Sequence, residues 1–145
     1  MRKNKRVFVD TDIILDLLCN RDVFYAPAAE LFTLAENARV TLYTSALSFA
    51  NIFYILRKIL GNTAAKNVLR KLKLLVTVLP VHAKVIDLAL NSSFRDFEDA
   101  IQYFTARTEN ISTLITRNVR DYKIKDMAVQ TAAEYVKIDE STGIR

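Results

Sequence analysis

Three consecutive apolar residues, Val7, Phe8 and Val9, run directly into an acid, Asp10, and this junction constrains the fold more than any other part of the chain. An apolar run without alternation belongs to a strand covered on both faces. A carboxylate that ends such a strand needs a hydrogen-bonding partner or an ion. Further strands follow downstream. Val40 to Tyr43 and Leu75 to Leu79 read as further strands, the latter halted by Pro80, with Thr113 to Thr116 as a fourth and Ala128 to Gln130 as a short fifth. Between them lie apolar residues at helical spacing. Asp12 is placed to cap a helix over Ile13 to about Asn20, and Pro27 suits the first turn of another that stops near Asn37 to Arg39. Ser45 or Ser48 starts a third through Leu60, ended by Gly61, and Asn62 or Thr63 caps a fourth to about Leu72. His82 to Asn91, Asp96 to about Thr108 and Ala132 to Val136 complete the set, leaving a polar tail over 137–145. Strands alternating with helices of this length predict parallel βαβ units with helices on both faces of one sheet, in a single domain over 1–136.

Composition narrows the function classes. With 145 residues, 51% of them hydrophobic, and only two Gly and two Pro, the chain can bury a substantial core and is not a low-complexity protein. Its single cysteine, Cys19, forms no internal disulfide and no zinc cluster, which points to a reducing cytoplasm. The apolar run behind the basic start is broken at Asp10, so no signal peptide is expected. The uncharged stretch from Val40 to Leu56 contains Thr41, Thr44, Ser45, Ser48 and Asn51 and reads as core rather than membrane. The net charge of +5 is unevenly spread: residues 37–86 hold eight basic side chains and no acidic one. Such a segment is a solvated face or a surface for polyanions such as nucleic acid.

In an open parallel sheet, ligands bind beyond the carboxyl ends of the strands. Asp10 closes the first strand, Asp12 follows, Asn118 and Asp121 follow the fourth, and Asp96 and Asp99 open the helix before it. Carboxylates brought together repel unless a hard cation such as Mg²⁺ sits among them, and phosphodiester hydrolysis uses such a cation. Each residue also has a structural role open to it. Asp12 and Asp96 stand where helix caps belong, Asp121 suits a turn, and Asp99 gains from the helix dipole. His82 is the only histidine, far from the acids, and a His-based nucleophile is not expected. Cys19, Phe49, Phe53 and Tyr54 fall at core spacing.

These segments resemble the PIN-domain family, small metal-dependent ribonucleases that include the VapC-like toxins of toxin–antitoxin pairs. The likeness spans roughly residues 6–136 and rests on three motifs in the family's order: Val7-Phe8-Val9-Asp10-Thr11-Asp12-Ile13-Ile14-Leu15, Asp96-Phe97-Glu98-Asp99-Ala100-Ile101-Gln102 with the small Ala106, and Leu114-Ile115-Thr116-Arg117-Asn118-Val119-Arg120-Asp121-Tyr122. The second family motif departs, because Asn51 stands where a Glu is usual, while Asp12 replaces the family's Asn and adds a charge nearby.

The resemblance implies a three-layer α/β/α sandwich around a mainly parallel sheet of four or five strands. It implies cleavage of single-stranded RNA by a water activated on Mg²⁺ or Mn²⁺. The metal ligands would be Asp10, Asp99 and Asp121, the catalytic residues, together with Asp12 and Asp96, and Asn51, Thr116 and Asn118 would be supporting polar groups. Arg57, Lys58, Lys66, Arg70, Lys71 and Lys73 would hold the RNA backbone. An antitoxin and a second copy of the chain are the implied protein partners, and no membrane is implied. Asn51 leaves open an alternative, a catalytically weakened module that binds RNA or protein. A phosphatase of the haloacid dehalogenase type, using Asp10 and Asp12, fits poorly because Ile13 and Ile14 follow where a small residue is wanted.

Overall fold

A computed structural model describes residues 5–141. Five strands, β1 (Lys5–Val9), β2 (Val40–Ser45), β3 (Val76–Leu79), β4 (Thr113–Ile115) and β5 (Ala128–Gln130), form one sheet in the order β3-β2-β1-β4-β5. Every pairing is parallel; Phe8 stands opposite Tyr43 on one side and Leu114 on the other. The seven helices among the described residues are α1 (Thr11–Leu18), α2 (Tyr25–Glu36), α3 (Ala46–Leu60), α4 (Asn62–Leu72), α5 (Ala83–Leu90), α6 (Phe97–Thr108) and α7 (Ala132–Ser141).

The alternation of the strands sorts the core into two layers. Val7, Val9, Leu42 and Ile115 face α1, α2, α3, α4 and α7, meeting Ile14, Leu31, Ile52, Leu56 and Val136. Phe8 and Leu114 face the other way and pack with Tyr103 and Ala106 of α6, against which α5 is laid through Val85 and Ala89. Phe8 is fully buried at the centre of the sheet, and the three residues before Asp10 are apolar and buried, whereas Lys5 and Arg6 at the start of β1 are exposed.

Local chemistry sets the boundaries. Asp10, not Asp12, caps α1: its carboxylate accepts from the Thr11 N–H at 2.8 Å, and Asp12 lies in the first turn. Ser45 caps α3 by accepting from the Ser48 N–H at 3.1 Å, and Asp96 caps α6 by accepting from the Asp99 N–H at 3.0 Å. Gly61, at φ 87°, both ends α3 and precedes α4, so Asn62 is already helical and neither it nor Thr63 is the cap. The final helix runs past the boundary expected at 136, because Tyr135 and Asp139, one turn apart, share its buried face against α2. Of the tail expected over 137–145, residues 142–145 lie outside the described residues. Tyr54 is exposed rather than core, whereas Phe49 and Phe53 pack against the core as expected. No helix among the described residues is long and apolar enough to cross a membrane, the uncharged stretch from Val40 being divided between β2 and α3.

The end of α2 is a left-handed stop without a glycine. Ala38 has φ 57°, its N–H reaches the Ala35 carbonyl at 3.0 Å, and the Arg39 N–H reaches the Leu34 carbonyl at 2.8 Å. This is the pairing of a Schellman turn, whose left-handed residue is strained when it carries a Cβ. Ala38→Gly is therefore expected to raise stability by about 0.5–1 kcal/mol, read from the urea midpoint at unchanged slope.

Candidate functional site

The strand order reverses between β1 and β4, and a crevice opens beyond their carboxyl ends. Asp10 and Thr116 stand at those two ends, where the Asp10 N–H donates to the Ile115 carbonyl at 2.9 Å. The crevice is a cleft of about 240 Å³ lined by Asp10, Thr11, Asp12, Asn51, Asp96, Glu98, Asp99, Gln102, Asn118 and Asp121, with Leu15 and Leu47 as its apolar members. All five acids named from the sequence line it, although they come from β1, α1, α6 and the 3-10 turn Val119–Asp121.

Asp10 is 7% exposed and its carboxylate is fully engaged. Oδ1 accepts from the Thr11 N–H at 2.8 Å and from Gln102 Nε2 at 3.1 Å. Oδ2 lies 2.9 Å from the Thr116 hydroxyl and 3.1 Å from the Tyr122 hydroxyl. Tyr122 also stands 3.3 Å from Asp99 Oδ1, so one phenol spans two carboxylates. Burial first, and the charges of Asp10 and Asp99 next, push that phenol far above its ordinary range and keep it protonated. Asp12 Oδ2 accepts from the Arg117 N–H at 3.2 Å and from Asn118 Nδ2 at 3.4 Å, while its Oδ1 is buried without a partner. The Asn118 N–H in turn donates to Thr116 Oγ1 at 3.1 Å. Asn51 Nδ2 reaches Glu98 Oε1 at 3.3 Å across the mouth of the cleft.

Crowding shows in the titration of two acids. Asp99 is pushed up to about 7 by burial and then by the charges of Asp96, Asp10 and Asp121, with the Tyr122 hydrogen bond opposing. Asp12 is pushed up to about 6 by burial and then by Asp10, with Arg117 opposing. Among the described residues no three acidic, His or Cys side chains converge closely enough to grip one ion as they stand. The donor set nonetheless fits a hard cation: carboxylate, amide and hydroxyl oxygens only, mutual repulsion concentrated on Asp99, and the orphaned Asp12 Oδ1.

The six basic residues named for RNA do not reach this cleft. All are exposed on α3, α4 and the turn after it. The first turns of α3 bring Leu47 and Asn51 to the cleft, and the helix then carries Arg57 about 9 Å beyond Asn51 along its axis at 1.5 Å per residue. Arg57 stacks on the Tyr54 ring at 5.0 Å and Arg70 is bonded to Asn67 at 2.7 Å. The cations next to the acids in the chain are Arg95, beside Asp96, and Arg120, beside Asp121, both exposed. Sequence reasoning passed over them, and over Gln102, Tyr122 and Glu98 as site residues. Gln102 carried a usable signal, being one polar residue on a helix whose neighbours Ala100, Ile101 and Tyr103 are buried. A further miss is Asp16, wholly buried on α1 beside Arg117 Nε at 3.0 Å and Arg21 at 3.7 Å. Burial raises its carboxyl and the two arginines pull it down. Arg117 also lies 4.2 Å above the Phe24 ring, which ties the loop carrying Asn118 and Asp121 to α1 and α2.

An all-parallel α/β sheet with acids gathered at its switch point is a scaffold that binds ligands beyond the carboxyl ends of its strands. A model of the PIN domain matches residues 6–120. The chain belongs to the PIN domain family. Ribonuclease VapC1 of Aquifex aeolicus (strain VF5) is 25% identical over 137 residues, covering 91% of this chain and 94% of that protein. Among solved structures, a toxin–antitoxin complex from Klebsiella pneumoniae superposes with a TM-score of 0.65 at 20% identity, covering 87% of this chain and 97% of that one. VapC20 of Mycobacterium tuberculosis, a sarcin–ricin loop cleaving toxin, superposes with a TM-score of 0.58 at 22% identity, covering 74% and 86%.

The crowded carboxylates make the stability of the metal-free protein depend on pH in a defined direction. Asp99 and Asp12 hold protons in the folded chain, at about 7 and about 6, that they release near 3.8 when unfolded. Their contribution is thus present at low pH and lost as pH rises through that window. In chelator, the melting temperature is expected to fall from pH 5 to pH 8, and Asp99→Asn is expected to flatten the slope; calorimetry across that range reads both.

Proposed function

We propose that this chain is an endoribonuclease that hydrolyses single-stranded RNA with Mg²⁺ or Mn²⁺ in the acidic cleft, acting in the cytoplasm as the toxin of a toxin–antitoxin pair. The observation that carries this reading is the meeting of Asp10, Asp12, Asp96, Asp99 and Asp121 around one cleft at the switch point of a PIN-family sheet. Asp10, Asp99 and Asp121 would hold the cation, with Asp12 and Asp96 beside them. A divalent cation bound there supplies charge neutralisation at the phosphate and a water acidic enough to attack it near neutral pH.

The chain's own part is placement. Thr116 and the Thr11 N–H keep the Asp10 carboxylate in register with the cleft, and Asn118 fixes the Thr116 hydroxyl and Asp12 together. Asn51, bonded to Glu98, sets a neutral amide at the rim where a carboxylate would add repulsion. Exposed Arg95 and Arg120, next in the chain to Asp96 and Asp121, would meet phosphates near the cleft, and the α3–α4 basic face would meet a strand that runs on along α3. The Aquifex relative's ribonuclease name and the Klebsiella toxin–antitoxin complex support the activity and the antitoxin partner. A homodimer completes the assembly, measurable as mass in solution.

Purified protein with Mn²⁺ and an unstructured RNA tests the reading. Asp10→Ala is expected to abolish cleavage while the far-ultraviolet circular dichroism stays that of the wild type; persistent cleavage overturns the assignment. Wild-type protein that binds this RNA but leaves it intact would establish the binding-module reading favoured by Asn51 instead. Asp12→Asn is expected to lower metal affinity, since Asp12 returns the charge that Asn51 omits. Removing the Lys66, Arg70 and Lys71 charges together is expected to weaken binding alike for all sequences and to reduce the slope of log K against log salt by roughly 0.7 per lost phosphate contact.

A further inference from the structure

Gln102 is 2% exposed in the wall of the cleft, and nothing in the reading above requires an amide there. An amide so deeply buried is tolerated where its donors and acceptors are met. Its partners come from two strand-to-helix junctions. The Ser45 hydroxyl donates to Gln102 Oε1 at 2.5 Å, and the same Ser45 oxygen accepts from the Ser48 N–H at 3.1 Å. Gln102 Nε2 donates to Ser48 Oγ at 2.8 Å and to Asp10 Oδ1 at 3.1 Å. Turning the amide over would set Oε1 against the Asp10 carboxylate, so its orientation is fixed from both ends.

This makes the two oxygens of Asp10 unequal. Oδ1 is held by the Thr11 N–H and by Gln102 Nε2, donors whose hydrogens are locked in amide planes. Oδ2 meets only the Thr116 and Tyr122 hydroxyls, whose hydrogens can rotate away. We propose that Gln102 is a positioning residue: by pinning Oδ1 it makes Oδ2 the oxygen that Asp10 presents to the cleft. The inference rests on the cleft's being a cation site, as argued under the proposed function.

The test uses the full chain and two variants. Gln102→Leu removes both ends of the link. Ser45→Gly frees the amide to turn while leaving α3 with an acceptable cap. Mn²⁺ binding is read by electron paramagnetic resonance without RNA, beside cleavage kinetics and melting temperature. Gln102→Leu is expected to weaken Mn²⁺ binding and lower kcat by 10- to 100-fold, the range for groups that orient ligands, with KM for RNA unchanged. Ser45→Gly is expected to show a smaller loss, and the double variant to be no worse than Gln102→Leu alone. Folded variants that bind Mn²⁺ within twofold of the wild type, losses that simply add, or two variants that both lose the fold would each overturn the proposal. Wild-type protein that binds no Mn²⁺ overturns the cation reading and this inference with it, whereas wild-type binding matched by both variants overturns this inference alone.

Discussion

A buried carboxylate at the end of the central strand is the point on which the rest of this molecule converges. Asp10 cannot leave the sheet, because Phe8 and Val9 before it are wholly buried and its own N–H is bonded to β4. It must therefore be satisfied where it stands, and the chain gathers four donors around it from α1, α6, the end of β4 and the turn that follows. An ionised carboxylate offers about four lone-pair sites, so the arrangement meets its capacity. The same residue caps α1, which makes one side chain the end of a strand, the start of a helix and the floor of a cleft.

The fold was legible because β1 ends in an apolar run, β2 alternates apolar with polar residues and β4 holds the buried pair Leu114 and Ile115, and because serine, aspartate and glycine punctuate the helices between them. What stayed hidden was set by three-dimensional competition. The sequence points to Asp12 as the cap of α1; the end of the strand gives the cap to Asp10 and frees Asp12 to meet the Arg117 N–H. The last helix looked shorter because the segment from Lys137 on is mostly polar, while Asp139 returns to the buried face. The acids of the cleft could be named in advance since each follows a strand or opens a helix. The link from Gln102 to Ser45 and Ser48 could not, because it consists of pairings across more than fifty positions.

Charge tells a related story. The acid-free segment 37–86 reads as a solvated face or a surface for polyanions, and α3 within it points its first turns at the acids and carries its arginine and lysine to the other end. Sequence blocks record composition, whereas a helix of fifteen residues converts position into some 20 Å of separation. The cations adjoining the acids in the chain are single residues, Arg95 and Arg120, embedded in acidic motifs where a tally by block could not reveal them.

The all-parallel topology has a temporal consequence. Among the described residues no strand pairs with a hairpin neighbour, and the contacts that complete Asp10 span 92 positions to Gln102, 106 to Thr116 and 112 to Tyr122. Contacts so distant in sequence form late, after most loop-closure entropy has been met. A chain emerging from the ribosome holds Asp10, Asp12 and the whole of α3 long before it holds Thr116 or Asp121. Its acidic cleft cannot exist on a partial chain, so the order of synthesis keeps the assembled site out of the compartment until the domain is almost complete.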